Sequence, residues 1–155
     1  MINITLKTLH DTQALAQQLA AQCHTTDCLA LYGNVGAGKT TFARYFLEAL
    51  GWTSDVPSPT FTIAQFYELP HHNTVGHTVW HLDAYRLKSA AEAVETGLED
   101  CFQNSICLVE WPQNIAGLLP KNRLALHFSL EGNTRSVEDT GHGHWQHNDI
   151  FPHAS

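Results

Sequence analysis

The stretch Gly33-Asn34-Val35-Gly36-Ala37-Gly38-Lys39-Thr40 fits the pattern G-x-x-x-x-G-K-[ST] without a mismatch, and each residue type in it answers a separate chemical need. Glycines at positions 33, 36 and 38 open backbone conformations closed to larger residues, so that successive amides can turn inward around an anion. Lys39 then sets one positive charge against terminal phosphates, and the Thr40 hydroxyl is a ligand for magnesium. A glycine-rich turn between a strand and a helix would account for the glycines alone. It leaves Lys39 and Thr40 in register unexplained, so the spacing favours a nucleotide phosphate site.

Such a loop works with an acid that holds magnesium or its waters, and in open α/β sheets ligand groups gather outside the carboxyl ends of strands. Asp83 and Glu110 both qualify, since each closes a strand-like run. A strand-end cap or an ion pair is the competing reading for either. Two acids leave room for divided roles, one in the metal shell and the other orienting the attacking water, and nothing in the sequence allots them. Ser58 and Thr60, in the hydroxyl-rich loop from Ser54 to Thr60, could approach a terminal phosphate as switch loops do. Ordinary turn chemistry would explain them equally well.

The elements that must carry these groups are legible from periodicity. Cys28 to Tyr32 is a short apolar run of strand length before the loop, and Thr41 to Leu50 after it repeats Phe42, Phe46 and Leu50 at helical spacing, with Gly51 as the stop. Ile2 to Leu6 alternates as a half-buried strand, and Asp11 is positioned to cap a helix that places Leu15 and Leu19 on one face. Phe61 to Tyr67 and Val79 to Leu82 read as strands of a hairpin joined through Pro70 to Gly76. Ser89 and Glu92 have capping-box spacing for a helix that Gly97 ends. Ser105 to Glu110 is an almost continuous apolar run closed by a carboxylate, the pattern of a strand buried on both faces. Trp111-Pro112 leads into a short helix through Leu119. Arg123 to Leu130 alternates as a strand, and Thr134 to Glu138 can pair back across Gly132-Asn133.

Composition narrows the classes. A length of 155 residues favours one domain, and 43% hydrophobic with 15% charged residues is an ordinary globular balance. No apolar run reaches the roughly 18 residues of a membrane span, and the start Met1-Ile2-Asn3-Ile4 lacks a basic n-region, so the expected setting is cytoplasmic. Eight Lys plus Arg against fifteen Asp plus Glu give a formal charge of -7, the wrong sign for gripping a phosphate backbone unaided. Cys23, Cys28, Cys101 and Cys107 match no common zinc spacing and read as reduced, mostly buried thiols. The segment 141–155 holds four of the eleven histidines. His142, His144 and His147 could bind a transition metal, but a mobile terminus is the commoner meaning of such composition, which puts the expected domain at 1–140.

In their order along the chain, these motifs resemble the TsaE family, also called YjeE. The P-loop from Gly33 to Thr41 is shared with many families. The specific elements are Ser58-Pro59-Thr60-Phe61-Thr62, His81-Leu82-Asp83-Ala84-Tyr85-Arg86-Leu87 and Leu108-Val109-Glu110-Trp111-Pro112, with Gly97-Leu98-Glu99-Asp100 as a further match between the last two. The likeness spans roughly residues 5 to 138 and fails in the His-rich segment. It implies a P-loop three-layer α/β fold with a central mixed, largely parallel sheet and an antiparallel hairpin. It also implies an ATP- and magnesium-dependent ATPase of bacterial threonylcarbamoyladenosine biosynthesis in tRNA, working with the TsaB and TsaD proteins. On that reading Lys39, Asp83 and Glu110 are catalytic, and Thr40, Asp83 and Glu110 serve the metal. Residues Gly33, Asn34, Val35, Gly36, Ala37, Gly38, Lys39, Thr40, Thr41, Ser58 and Thr60 bind the nucleotide. TsaD performs the transfer to tRNA, so tRNA contact falls mainly to the partners, in keeping with the negative charge. A small-molecule kinase is a rival, although Arg44, Arg86, Arg123 and Arg135 are scattered singly rather than grouped as a lid. A nucleotide-gated binding module without turnover is another. Arg86 is the best candidate in cis for an arginine over the phosphates, and Trp111-Pro112 is the expected corner for partner docking.

Overall fold

The computed structural model describes residues 3–57, 64–69, 78–95 and 97–147. In chain order the elements are β1 (Asn3–Leu6), α1 (Leu9–Gln22), β2 (Cys28–Tyr32), α2 (Lys39–Ala49), β3 (Ala64–Glu68), β4 (Thr78–Asp83), α3 (Ala90–Glu95), α4 (Leu98–Asn104) and β5 (Ile106–Glu110). A 3-10 helix (Pro112–Leu118), β6 (Arg123–Glu131), β7 (Thr134–His142) and a second 3-10 helix (Gly143–His147) follow.

The strands form one mixed sheet in the order β1-β7-β6-β2-β5-β4-β3. Its inner ladders, β6 to β2, β2 to β5 and β5 to β4, are parallel. The outer ladders are antiparallel, including the expected β3–β4 hairpin, which runs from Ala64 opposite Leu82 to Glu68 opposite Thr78. The apolar runs of β2 and β5 lie at the centre, where Cys28 to Leu31 and Ile106 to Val109 are buried on both faces.

The period of two along each strand sorts the core into two layers. Leu29, Leu31, Ile106, Leu108, Leu124 and Leu126 meet Leu15 and Leu19 of α1 and Phe42 and Phe46 of α2. Cys28, Leu82, Cys107 and Val109 turn the other way, onto Ala93 of α3, Leu98 and Phe102 of α4, and Ile115. Helices therefore cover both faces, and the sheet ends carrying the polar groups stay open.

Several local expectations need correcting. The cap of α1 is Thr8, one turn before Asp11. The Asp11 amide donates to Thr8 Oγ1 at 3.2 Å while Asp11 Oδ2 accepts from the Thr8 amide at 3.2 Å, so Asp11 is the inner half of a capping box. In α3 the Glu92 amide donates to Ser89 Oγ as its spacing indicates. Gly97, at φ 80°, then both stops α3 and starts α4, a helix with no side-chain cap to announce it.

The fold also continues past the expected boundary at residue 140. Strand β7 runs to His142 rather than stopping near Glu138, and in the following turn Trp145 is only 1% exposed. A Cβ at Gly141 would lie 2.3 Å from the Trp145 carbonyl oxygen, so glycine permits the chain to fold back so closely. His144 Nε2 stands 2.6 Å from Oδ1 of the buried Asp27, whose Oδ2 accepts from the His24 amide at 2.7 Å. Residues 148–155 lie outside the described residues. Among the described residues no group of three His, Cys, Asp or Glu is placed to hold a metal, so His142, His144 and His147 do not form such a cluster. No described helix is long and apolar enough to cross a membrane.

All four cysteines are free, and only Cys101 is not buried. Burial pushes the Cys28 thiol up to about 12 and raises Cys107 further, as expected of packing thiols rather than reactive ones.

Candidate active site

Strand β2 delivers the chain into the glycine loop at its carboxyl end. Gly33, at φ 138°, passes so close to β6 that a Cβ there would meet the Phe128 carbonyl oxygen at 2.6 Å. Gly38, at φ 114°, is the N-cap of α2 and supplies no side chain to its first amides, which remain free to bind an anion. Val35, Gly36, Gly38, Lys39, Thr40 and Thr41 line one cleft together with Asp83, Glu110, Trp111 and Arg135. Gly33, Asn34 and Ala37 shape the loop from behind, with the Ala37 amide donating to the Asn34 carbonyl at 3.1 Å. Ser58 and Thr60 lie outside the described residues.

Asp83 and Glu110 end neighbouring parallel strands and are register partners, so their side chains share the sheet face on which α2 packs. They stand 27 positions apart (110 minus 83), with α3 and α4 between them, and the pairing of β4 with β5 removes that separation. The Glu110 carboxylate is shared between two hydrogen bonds. Oε1 accepts from Thr40 Oγ1 at 3.3 Å, and Oε2 lies 2.7 Å from Nε2 of buried His81. Asp83 Oδ1 accepts from the Tyr85 amide at 2.9 Å. The Ala84 amide donates to the Glu110 carbonyl at 2.9 Å, and Asn114 Nδ2 donates to the Ala84 carbonyl, tying the two strand ends together.

Burial raises Asp83 above the ordinary carboxylate range, and the Glu110 charge adds to this while the Tyr85 amide and Lys39 oppose it. Desolvation lowers Lys39, against the two carboxylates, which favour its charged form. The Lys39 ammonium donates to the Gly33 carbonyl and lies 4.2 Å from the centroid of the Trp111 ring. Trp111 adopts a left-handed backbone, at φ 57° and ψ 47°, a conformation that costs energy for a bulky residue and aims the ring across the strand end.

The sequence reading placed Lys39, Thr40, Asp83 and Glu110 in one site, and the fold brings them together. It missed Arg135 as a wall of the cleft and His81 as the partner of Glu110. The H-x-D spacing was a usable signal for His81, because residues two apart on a strand share a face. Arg86, expected over the phosphates, is exposed and is not among the residues lining the cleft. Trp111, at the corner expected to dock a partner, is half-buried; Tyr85, whose ring centroid is 5.0 Å away, is the open aromatic at 58%.

A parallel-centred α/β sheet, a glycine loop capping the helix that follows it and two carboxylates at adjacent strand ends together define a P-loop protein. The chain matches the family described as "Threonylcarbamoyl adenosine biosynthesis protein TsaE" over residues 6–137, and it belongs to that family. It is 40% identical over 123 residues to the tRNA threonylcarbamoyladenosine biosynthesis protein TsaE of Bacillus subtilis, a match covering 79% of this chain and 73% of that protein. With the protein of the same name from Haemophilus influenzae it shares 33% identity over 124 residues, 78% of this chain and 75% of the other. The crystal structure of YdiB from Bacillus subtilis superposes with a TM-score of 0.74 at 33% identity, covering 92% of this chain and 86% of that one.

Proposed function

We propose that this chain is an ATP- and magnesium-dependent P-loop ATPase that serves threonylcarbamoyladenosine modification of tRNA in concert with the TsaB and TsaD proteins. The observation that carries the reading is the Glu110 carboxylate, hydrogen-bonded to the Thr40 hydroxyl of the P-loop helix and adjacent in register to Asp83. Oxygen ligands at the foot of a phosphate loop suit magnesium, a hard cation that keeps part of its water shell. Thr40 would hold the ion directly, with Glu110 and Asp83 in contact with it or with its waters. When bound there, magnesium supplies positive charge against the terminal phosphates.

The chain's own groups do the rest. The loop amides and the α2 N-terminus bind and orient the phosphates, and Lys39 exchanges its carbonyl acceptor for a stronger anionic one. Asp83 and Glu110 orient the attacking water, and burial of Asp83 favours its taking up a proton. Trp111 keeps bulk water from the Lys39 side of the cleft. Among the described residues no arginine lines the cleft on the flank of Asp83 and Glu110, Arg135 standing on the opposite one, and in P-loop enzymes an arginine over the phosphates is worth about a thousandfold or more in turnover. Hydrolysis by this chain alone is therefore slow, and the partner complex supplies what is missing. The exposed residues Ser54, Asp55 and Pro57 and the corner formed by Tyr85 and Trp111 are the surfaces offered for docking. A net charge of -7 leaves tRNA contact to the partners.

Phosphate release from ATP, measured with and without TsaB and TsaD, tests this reading. Slow release that rises when both partners are added is the expected result. Fast release by the chain alone, unaltered at saturating partner concentration, would contradict it, and a phosphorylated small molecule in place of free phosphate would make it a kinase.

A further inference from the structure

The two acids of the cleft are oriented by different means. A side chain, His81, grips Glu110 from inside the sheet, whereas a backbone amide, that of Tyr85, grips Asp83 Oδ1 at 2.9 Å. This amide belongs to the turn of residues 84–87, whose ends Ala84 and Leu87 are buried and whose middle side chains, Tyr85 and Arg86, are exposed. Apart from the ring contact of Tyr85 with Trp111, packing holds the turn at its ends and leaves its central peptides to hydrogen bonds.

The Ala84 carbonyl and the Tyr85 amide are the two ends of one planar trans peptide group. They point in opposite directions, so whatever holds the carbonyl aims the N–H. The carbonyl accepts from the Leu87 amide at 3.0 Å, which closes the turn on itself, and from Asn114 Nδ2 at 2.9 Å, which ties it to the 3-10 helix after β5. The same Nδ2 lies 3.3 Å from the Tyr85 carbonyl. Two carbonyl acceptors decide which end of the Asn114 side chain faces the turn, since only its NH2 donates. Asn114 is itself placed by its own amide, which donates to the carbonyl of Trp111 at 3.2 Å. One exposed residue thus joins the turn that carries the Tyr85 amide to the left-handed residue whose ring covers Lys39.

We infer that Asn114 is a positioning residue, which aims Asp83 into the cleft by holding the Ala84–Tyr85 peptide. It is not among the residues lining the cleft and acts only through that peptide. Once the carbonyl is released the peptide can rotate, and an oxygen turned towards the carboxylate repels it where the N–H attracts. The consequence for magnesium and turnover rests on the nucleotide reading above; the contact itself rests on the peptide geometry alone.

Two substitutions test it. Asn114→Ala removes the side chain with its donor, while Asn114→Asp keeps the shape and removes the donor, and its added charge would by itself favour a cation. In the unliganded chain, amide hydrogen exchange read by NMR is expected to be about five- to tenfold faster at Tyr85 in both variants, with the amides of β4 and β5 unchanged. With nucleotide, both variants should need about tenfold more magnesium for half-maximal phosphate release, while calorimetry finds the affinity for ATP without magnesium unaltered. Tyr85 exchange as slow as in the unaltered chain, or an equal or lower magnesium requirement in Asn114→Asp, would overturn the inference. Loss of protection spread evenly over β4 and β5 would make Asn114 a packing residue and overturn it likewise. Should Asn114→Ala fail to fold, Asn114→Asp carries the comparison. If the unaltered chain neither binds ATP nor responds to magnesium, the nucleotide reading falls instead, and the exchange measurement still decides whether Asn114 holds the peptide.

Discussion

His81 Nε2 lies 2.7 Å from Glu110 Oε2, and the imidazole is fully buried. An ionised carboxylate only accepts, so Nε2 carries the proton and donates. The bond fixes the plane of Glu110 and turns Oε1 to Thr40, leaving the acid preorganised before any ligand arrives.

On the proposed function His81 acts through Glu110 as a positioning residue. His81→Ala is expected to lower turnover about 10- to 100-fold and to raise the magnesium concentration needed for half-maximal rate. His81→Gln, which retains a donor, should recover part of both. Steady-state rates across a magnesium series, alongside thermal unfolding, make the check. A variant that melts early yet keeps full turnover per folded molecule and an unchanged magnesium requirement would show His81 to be packing only.

Asp83 has its folded-state pKa raised above the unfolded value, chiefly by burial. Such an acid binds its proton more tightly when folded, so its contribution favours folding below the ordinary carboxylate range and is lost as pH rises through the raised value. At neutral pH the ionised group is a cost in the unliganded chain. Asp83→Asn keeps an acceptor for the Tyr85 amide and is expected to raise the unfolding midpoint at pH 7, with the gain vanishing in acid. The same substitution should depress turnover, a trade of stability for function. Urea unfolding across pH would expose the error if the variant were less stable at pH 7, or if its advantage grew in acid.

Trp145 and His144 tie the C-terminal turn to the rest of the domain. Trp145→Ala should cost about 3 kcal/mol or more through the cavity it leaves, and His144→Ala about 1 kcal/mol, as the buried Asp27 carboxylate loses one hydrogen bond. Truncation after Thr140 should destabilise at least as much as Trp145→Ala. An unchanged denaturation midpoint on truncation would mean that this turn contributes nothing to the fold.

What could be read in advance followed from local chemistry. The bounds of β2 coincide with the apolar run Cys28 to Tyr32, and Glu110 closes β5 as its sequence indicates, because an unbroken apolar segment ending in an acid has few other uses. The convergence of Asp83 with Glu110 followed from each closing a strand of one sheet. Arg135 was hidden because it lies 99 positions from Gly36 and reaches it only through the order β7-β6-β2, which no spacing encodes. The half-burial of Trp111 is not legible in the sequence, because its left-handed backbone, which turns the ring back over Lys39, is a tertiary constraint. The composition of the C-terminal turn points to a mobile terminus, since nothing in Gly141 to His147 announces that Trp145 has a socket waiting.

The most direct measurement is titration of ATP, with and without magnesium, into the unaltered chain, Lys39→Ala and Thr40→Ala. Lys39→Ala is expected to weaken ATP binding by about tenfold or more, since it removes a charge-assisted contact worth roughly 1.5–3 kcal/mol, and to abolish turnover. Thr40→Ala should retain the affinity seen without magnesium and lose most of the gain that magnesium brings. Unchanged magnesium-ATP affinity in both variants, with normal turnover, would show that the glycine loop and its two carboxylates are not a nucleotide site.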